Sequence, residues 1–527
     1  MKRVLTFALC LIAIASCNKQ DREELARLQE ELDGLKSEAA GNLPDANPVD
    51  GPKVISITFD KDTYWADAGS SVTAHYTLQQ AADVEAFAQG GWSAEVNRSG
   101  DTEGDIVFTA PDPASPGTIV VKATDAKGNT AESIVQTFVR MPCTDATRPT
   151  YKVLAYNGFS DDQATYENYK KMKDAGVNMI TVEGEDLVYG PGWRDQCRVA
   201  AQTGVKIVLF IGYTHECYSR DPEHYTGLDD LINEAVQYPA VCAFQIADEP
   251  SAVRAYDLAF VKQKIESLAP NHPVYINLHP STVSQDGMGA LTYEDYVERF
   301  ASICNLKFIT FDQYPVWNTG VEDSWYRSLN VVYDTAKRHG IPFWAFIQSC
   351  REYSRVDPSL ETIRLQGNIN MAYGAQCNQF FVWRATSGTN YAPILKDGTW
   401  TTAYDDCRDY CTELHNREFV FVDCDVHSVR HTGVNYYRHG TCLTAADYPD
   451  AISDITINDS SLVSFIGNNG NEYVVICNKS YEEKISAKVT FKREVYTIDR
   501  NGVFTAQQPG EHQFTLDEAD MLVIKWR

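Results

Sequence analysis

Residues Val241–Pro250 read VCAFQIADEP, an apolar stretch of strand-like composition that ends in two adjacent carboxylates and a proline. In a barrel of parallel strands, side chains at the carboxyl ends of the strands enter the active site. Burying Asp248 and Glu249 in a core would cost several kcal/mol unless they were paired or put to use. The stretch therefore predicts a barrel strand with a catalytic acid at its end. The competing interpretation is that these acids cap the following helix.

Seven further strand-like segments alternate with amphipathic helical stretches, such as residues 165–174 and 324–338. Eight βα units within residues 150–416 match the size of a (β/α)8 TIM barrel. The predicted barrel strands are residues 152–156, 178–183, 206–211, 241–247, 274–278, 308–311, 342–347 and 379–382. This alternation makes a TIM barrel the predicted central domain of the chain.

The segments on either side of the barrel have a different pattern. Residues 53–140 alternate short strands with turn residues, which predicts a β-sandwich. This segment resembles the Ig-like spacer modules of Bacteroidetes surface proteins. Residues 417–527 again contain strand-like runs without helical periodicity, and they predict a C-terminal β-sandwich. The predicted protein is thus multidomain, with a sandwich on each side of the barrel.

The first residues have the pattern of a targeting segment. Within residues 1–17, two basic residues precede an apolar run that is too short to span a bilayer permanently. The sequence Ile14-Ala15-Ser16-Cys17 resembles a bacterial lipobox, which implies cleavage before Cys17 and lipidation of that residue. The acidic stretch that follows resembles the surface-export signal of Bacteroidetes lipoproteins. We therefore expect a cell-envelope protein, anchored in the outer membrane and exposed at the surface. The alternative is an ordinary secretory signal peptide.

Residues 18–52 predict a short stalk helix followed by a linker rich in Pro, Gly, Asn and Asp. Leu25, Leu28, Leu32 and Leu35 form an a/d seam of about two heptads, which permits weak self-association. The formal net charge of -26 argues against nucleic acid as a partner, because binding a polyanion requires clustered Lys and Arg.

Carboxylates, amides, histidines and aromatics dominate the predicted strand ends. Such a mixture suits a sugar, since polar groups bind its hydroxyls and a flat ring stacks on its apolar face. The absence of a Gly-rich phosphate loop weakens a phosphosugar interpretation. No metal or organic cofactor is implied. The candidate catalytic residues are Glu249, Asp312 and Glu183, and the candidate substrate-binding residues are Asn157, Asp248, Asn277, His279, Tyr314, Gln348 and Trp383.

The motifs at three of these strand ends resemble those of a known enzyme family. Ala247-Asp248-Glu249-Pro250 resembles the fourth-strand Asn-Glu-Pro motif of clan A glycoside hydrolases, including the family 42 β-galactosidase type. The resemblance implies that Glu249 is the general acid/base. Phe311-Asp312-Gln313-Tyr314-Pro315 resembles the sixth-strand segment, whose Tyr lies near the nucleophile. Trp383 is similar to the eighth-strand Trp that forms the floor of the sugar site.

One departure from the family concerns its nucleophile, a Glu at the end of the seventh strand. Here the corresponding residue is Gln348, whose neutral amide cannot attack an anomeric carbon as a carboxylate does. Three explanations stay open. Glu352 in the following loop supplies the carboxylate; or Asp312 or Glu183 acts as base in an inverting enzyme, across about 6.5–9.5 Å; or the site binds glycans without cleaving them.

These features predict a glycoside hydrolase that acts on a neutral or weakly charged oligo- or polysaccharide. The alternative is a non-catalytic glycan-binding lipoprotein on a degenerate hydrolase barrel, with the same aromatics but no complete carboxylate pair. A lyase is a third interpretation, and it would require a neutralising Arg, His or metal beside an acidic sugar.

Overall fold

The computed structural model describes residues 56–60, 63–67, 69–112, 117–140, 150–182, 192–211, 227–352, 355–386, 388–433 and 440–526. Three predictions fall outside the described residues: the lipidated Cys17, the stalk helix and the candidate catalytic Glu183.

Eight parallel strands close into a barrel, which confirms the predicted central domain. Each strand pairs with its neighbours in the chain, and the eighth pairs with the first. In chain order, the first to eighth barrel strands are Lys152–Ala155, Met179–Val182, Lys206–Phe210, Val241–Asp248, Val274–Leu278, Ile309–Phe311, Phe343–Gln348 and Cys377–Phe381. Because all eight run the same way, their carboxyl ends form one face.

A helix follows each barrel strand. Several of these helices begin with a side-chain cap: Thr165, Thr292 and Ser359 each accept the backbone N–H three residues further on. The eight helices are Tyr166–Asp174, Gly192–Thr203, Leu228–Ala235, Ala255–Leu268, Tyr293–Ile303, Ser324–His339, Leu360–Ala372 and Thr402–Phe421. Shorter elements are the helix Gln285–Met288, the 3-10 turns Ala252–Arg254 and Ala445–Asp447, and the strand pairs Val316–Trp317 with Gly320–Val321 and Arg351–Glu352 with Thr389–Asn390. None of the described helices is both long enough and apolar enough to cross a membrane.

The eighth barrel strand lies earlier than predicted. It begins at Cys377 rather than at residue 379, and it ends at Phe381. The predicted strand did not include Asn378. In the fold Asn378 is fully buried, and it accepts a hydrogen bond from Asn370 Nδ2 (3.1 Å) and donates one to Tyr410 Oη (3.0 Å). The shift places Trp383 beyond the strand end.

The N-terminal unit contains two four-stranded sheets around a shared core that includes Tyr64, Tyr76 and Phe108. The first sheet has the order Ile57–Phe59, Ser71–Leu78, Glu103–Thr109 and Ser93–Arg98. The second has the order Thr63–Asp67, Thr130–Arg140, Gly117–Thr124 and Asp83–Ala88. The kinship of this unit to Ig-like modules stays a prediction.

The C-terminal unit contains a six-stranded and a three-stranded sheet. The larger sheet has the order Asp425–Thr432, Ser461–Asn468, Asn471–Asn478, Met521–Lys525, Val495–Ile498 and Phe504–Gln507, and the smaller has Ile452–Ile457, Ile485–Phe491 and Gly510–Leu516. The last barrel helix continues to Phe421, so the predicted boundary at residue 417 falls inside a helix. Leu462, Cys477 and Val523 of the larger sheet share one hydrophobic core with the barrel helices.

Candidate active site

The fourth strand delivers its two acids to the carboxyl face of the barrel, as predicted. Asp248 is the last strand residue, and Glu249 follows with a φ of +47°, in the left-handed region. This conformation costs a non-glycine residue about 1–3 kcal/mol, and it persists where the surroundings hold it. The Glu249 backbone N–H donates to Asn277 O (2.9 Å), which fixes the turn. The Glu249 side chain is 40% exposed and therefore accessible from solvent.

Asn277 on the fifth strand joins two carboxyl groups. Its Nδ2 donates to Asp248 Oδ1 (2.9 Å) and to Asp312 Oδ1 (3.2 Å). The residue is only 1% exposed, and both of its N–H groups are used within the protein. Asn277 thus bonds Asp248 and Asp312 in this structure, and its contact with a substrate stays a prediction.

The orientation of Asn277 is set by a chain of buried hydrogen bonds inside the barrel. Tyr275 Oη donates to Gln379 Oε1 (2.9 Å), and Gln379 Nε2 donates to Thr310 Oγ1 (2.8 Å). Thr310 Oγ1 then donates to Asn277 Oδ1 (3.3 Å), so the amide nitrogen must face the carboxyl groups. A fully satisfied network of this kind makes a polar interior rigid.

Asp312 directly follows the sixth strand and makes a hydrogen bond with Glu249. Burial, then the charges of Glu249 and Asp248, raise the pKa of Asp312 well above its usual range. Burial also acts to raise the pKa of Glu249, but contact with His279 and the hydrogen bond from Asp312 outweigh it and lower that pKa. His279 Nδ1 lies 3.2 Å from Glu249 Oε1. The two carboxyl groups therefore belong to one coupled cluster, in which the surroundings favour the neutral form of Asp312 and the charged form of Glu249.

An inverting base would face the acid across about 6.5–9.5 Å, and a retaining nucleophile across about 5–5.5 Å. The direct interaction of Asp312 with Glu249 favours a role for Asp312 beside the acid, and its role as the second carboxylate across a sugar stays a prediction. Asp248 is a third acid in the cluster, and burial raises its pKa despite the hydrogen bond from Asn277.

Asp312→Asn tests the proton-holding role of Asp312. Asn reproduces the hydrogen bonds of a protonated Asp but has no proton to release, so we expect hydrolysis to fall about 10²–10⁴-fold. Because the pKa of Asp312 is raised in the folded state, the folded protein binds more protons than the unfolded chain above the ordinary Asp pKa, and wild-type stability falls as pH rises. The variant should therefore melt at a higher temperature than wild type at neutral pH, with the difference shrinking in acid. Thermal unfolding between pH 4 and 8 measures this.

The control for that test is Asp357→Asn, which removes an exposed acid paired with Arg351 (3.1 Å). It should change neither hydrolysis nor the pH dependence of unfolding. A melting difference for Asp312→Asn that is constant with pH would contradict the assignment of the proton to Asp312.

Gln348 ends the seventh strand, but its side chain shapes a loop and does not face the site. It is 3% exposed, and its Nε2 donates to Cys350 O (3.2 Å) and Val356 O (3.0 Å). Both N–H groups of Gln348 are thus used by the loop backbone, and its contact with a substrate stays a prediction. This loop carries Glu352, the carboxylate that the first of the three explanations required.

Glu352 is held in place by Arg355. The two side chains form an ion pair and are only 19% and 14% exposed, respectively. Burial raises the pKa of Glu352, Arg355 opposes that effect, and the charge of Glu249 adds to it. Glu352 is thus a part-buried carboxylate near enough to feel the charge of Glu249, and its role as the second carboxylate stays a prediction.

Trp383 lies in the hydrophobic core, and its predicted contact with a sugar stays a prediction. It is fully buried, and its ring packs near those of Trp400 and Tyr404, at centroid distances of 6.3 and 6.2 Å. The reason is that the eighth strand ends at Phe381, so Trp383 turns toward the helix Thr402–Phe421. The partly exposed aromatic at this strand end is Phe381, which stacks on Tyr314 at 4.7 Å.

Three other predicted binding residues lie at the barrel mouth. Asn157 follows the first strand with a φ of +53°, is partly exposed, and donates its backbone N–H to Thr181 Oγ1 (2.9 Å). His279 contacts Glu249, and Tyr314 makes a hydrogen bond with Asp312. Contact of any of them with a sugar stays a prediction.

Sequence reasoning missed four residues of the site. Tyr156 accepts a hydrogen bond from Gln245 Nε2 (2.9 Å) and bonds to Asp248. The other three are Phe381, Trp317 and Arg355. Trp317 is partly exposed, and the Arg355 guanidinium lies over its ring. Trp317 follows the sixth-strand motif closely, which was a usable signal. Arg355 had none, because a lone arginine in a loop is ordinary. Within the described ranges, no group of His, Cys, Asp and Glu side chains is arranged to hold a metal ion.

No protein-family model matches the chain, and no curated protein sequence is significantly similar to it. Among solved structures, it is similar to a candidate glycoside hydrolase from Bacteroides vulgatus, with 10% identity, a TM-score of 0.43, and coverage of 88% of this chain and 99% of the other. A GH128 (subgroup II) endo-β-1,3-glucanase from Sorangium cellulosum has 13% identity, a TM-score of 0.32, and coverage of 49% of this chain and 97% of the other. A Bacteroides ovatus GH5 xyloglucanase in complex with a heptasaccharide has 10% identity, a TM-score of 0.30, and coverage of 68% of this chain and 100% of the other. These structural neighbours are glycoside hydrolases, but similarities this low do not identify an activity.

Proposed function

We propose that this chain is a glycoside hydrolase that cleaves a neutral or weakly charged glycan at the mouth of its barrel. The observation that carries the proposal is the cluster of carboxyl groups at the barrel mouth, where Asn277 bonds Asp248 and Asp312 and the solvent-accessible Glu249 lies 3.2 Å from His279. Glycosidases need one carboxyl group that delivers a proton and a second that acts at the anomeric carbon.

In this proposal Glu249 protonates the glycosidic oxygen, and Asp312 stores the proton that Glu249 delivers. Asp312 is a positioning residue here, because it acts through Glu249. Glu352 supplies the second carboxylate, from the loop after the seventh strand rather than from the strand end itself. The four acids of the site disfavour a polyanionic substrate, since like charges would meet in a partly desolvated space. A neutral glycan fits this charge balance best.

The test is to incubate the purified protein with a panel of neutral plant, algal and host glycans and to detect new reducing ends. Release that is lost in Glu249→Gln supports the proposal. Saturable binding without release from any glycan would instead favour the glycan-binding alternative. Release of unsaturated sugars from acidic glycans only would favour a lyase.

Trp317 is the aromatic platform that this proposal assigns in place of Trp383. Its indole Nε1 donates to Glu322 Oε2 (3.3 Å), and the Arg355 guanidinium lies 4.6 Å from its ring, so its orientation is fixed. We expect Trp317→Ala to raise KM about tenfold or more, with a smaller change in kcat, because it removes stacking area from ground and transition states alike. Steady-state kinetics on the released sugar measure both constants.

Trp383→Phe is the matched comparison for that prediction. It should lower the melting temperature, because it leaves a cavity in a packed core, and it should leave KM unchanged. The reverse pattern, with KM sensitive to Trp383 and insensitive to Trp317, would contradict the assignment.

The proposal also includes a lipid anchor at Cys17, supported by the lipobox-like sequence alone. We expect the full-length protein to sediment with the outer membrane, and Cys17→Ser to release it into a soluble fraction. Lipidation adds about 0.8 kcal/mol of membrane affinity for each buried methylene, so its loss should be evident by fractionation. Unchanged sedimentation of the Cys17→Ser protein would contradict the anchor.

A further inference from the structure

Arg355 contacts Glu352 and the segment that carries Tyr314. Its Nη1 is paired with Glu352 Oε2, and its backbone N–H donates to Glu352 O (3.1 Å). Its Nε donates to Tyr314 O (3.3 Å), which ties the loop after the seventh strand to the segment after the sixth. With a side chain only 14% exposed, Arg355 is not a solvated surface cation.

The guanidinium also belongs to a column of aromatic rings. It lies 4.6 Å from the Trp317 ring and 5.1 Å from the Tyr314 ring, and Tyr314 in turn stacks on Phe381 at 4.7 Å. Tyr314 and Glu249 are also among the groups that shift the pKa of Asp312, so both lie in its immediate surroundings. Direct contacts therefore connect Glu352 through Arg355 to Tyr314, which lies beside Asp312.

Arginine suits this place better than lysine would. Its planar group offers several donors in a fixed fork and stacks on aromatic faces at the same time, whereas an ammonium group is a point charge. The contrast with Arg351 in the same loop is informative. Arg351 is 49% exposed and pairs only with the equally exposed Asp357 (3.1 Å), as expected of a surface ion pair with little energetic effect.

We propose that Arg355 is a positioning residue that holds Glu352 and the Asp312–Glu249 pair in a fixed mutual geometry. It does so by pairing with Glu352 directly and by clamping Tyr314, which lies beside Asp312. This inference rests on the proposed function for its catalytic consequence, while the physical coupling between Arg355 and Glu352 exists with or without hydrolysis. Displacement of catalytic groups by about 1 Å can cost about 10²-fold in rate.

The catalytic test uses Arg355→Met and Arg355→Lys, with Arg351→Met as the control. We expect Arg355→Met to lower kcat/KM at least about 100-fold and to move the pH limb governed by ionisation of Glu352 to higher pH, because the cation that lowers the Glu352 pKa is lost. Arg355→Lys should restore the wild-type position of this limb of the pH–rate profile but not the rate, because lysine keeps the positive charge and lacks the planar guanidinium donors. Arg351→Met should resemble wild type.

A merely structural role would change the melting temperature of both Arg355 variants without moving the pH limb, and that result would overturn the proposal. So would a full recovery of rate in Arg355→Lys.

A substrate-free measurement separates this inference from the proposed function. Melting temperatures of Arg355→Met, Glu352→Gln and the double variant form a cycle, and we expect the double variant to lose clearly less than the sum of the single losses. The same cycle on Arg351 and Asp357 should be close to additive. Additivity at Arg355 and Glu352 would overturn the inference even if glycans are cleaved. Strong coupling in a protein that cleaves none would overturn the proposed function alone.

Discussion

Glu249→Gln is expected to abolish glycan hydrolysis, with a loss of at least about 10³-fold in kcat/KM, while glycan binding stays close to wild type. Gln has the shape of Glu but cannot deliver a proton, and positioned acid–base groups contribute about 10²–10⁴-fold to such reactions. Glu249 is the solvent-accessible carboxyl group of the cluster, so the substitution removes the acid that can reach the substrate. Reducing-end assays and binding titrations on the same glycan measure both quantities.

Substrates with different leaving groups can distinguish whether Glu249 acts as the acid or as the nucleophile. An aryl glycoside with an activated leaving group needs little protonation, so Glu249→Gln should retain much of its rate on that substrate if Glu249 is the acid. Equal losses on activated and natural substrates would instead make Glu249 the nucleophile, a role that its lowered pKa would also permit. Glu294→Gln is the matched control, at an exposed glutamate paired with Arg327, and it should not change the rate on either substrate.

Glu413→Ala is expected to have the largest effect on stability, a loss of about 3–5 kcal/mol in the free energy of unfolding. Glu413 accepts two hydrogen bonds from Arg364, at 2.9 and 2.8 Å, and lies 3.9 Å from the Arg417 guanidinium. Arg364 is 5% exposed and Arg417 is fully buried, so neither charge can turn to water when its partner is removed. An uncompensated buried charge is among the most destabilising defects in a core.

This cluster also joins the barrel to the C-terminal unit. Arg364 Nη1 donates to Glu518 O (3.4 Å), and Arg417 Nη1 donates to Met521 O (3.5 Å). Denaturant unfolding followed by circular dichroism measures the loss. Asp409→Ala on the same helix is the control, because its exposed pair with Arg408 should contribute less than about 1 kcal/mol. Similar losses in the two variants would contradict the special role of Glu413.

Much of the barrel could be predicted because its signal is local. The run of apolar residues in Val241–Ala247 and its abrupt end at Asp248 depend only on chain order, and the strand ends where the composition changes. The same reasoning misplaced the eighth strand, since Asn378 is acceptable in a strand only when Asn370 and Tyr410 are there to bond it. Partners of that kind are invisible to a local pattern.

The site was predicted in part for a related reason. Glu249, Asp248 and Asp312 were identified by their positions at strand ends, and the fold brings all three together. The burial of Asn277, Gln348 and Trp383 was not predicted, because position along a strand does not reveal whether a side chain is already bonded or buried. Arg355 could not be identified, since its importance lies wholly in the groups that it touches.

The strand-end acids and the alternation of strands and helices are properties of the sequence alone, because they follow from chain order and the preference of charged groups for water. The directions in which the carboxyl pKa values shift were decided only by the tertiary structure. A carboxyl pKa depends on burial and on charges a few ångströms away, and Asp312, Glu249, His279 and Glu352 come from different parts of the chain. The stretch VCAFQIADEP thus predicts where the chemistry lies, and the folded barrel determines how its protons are shared.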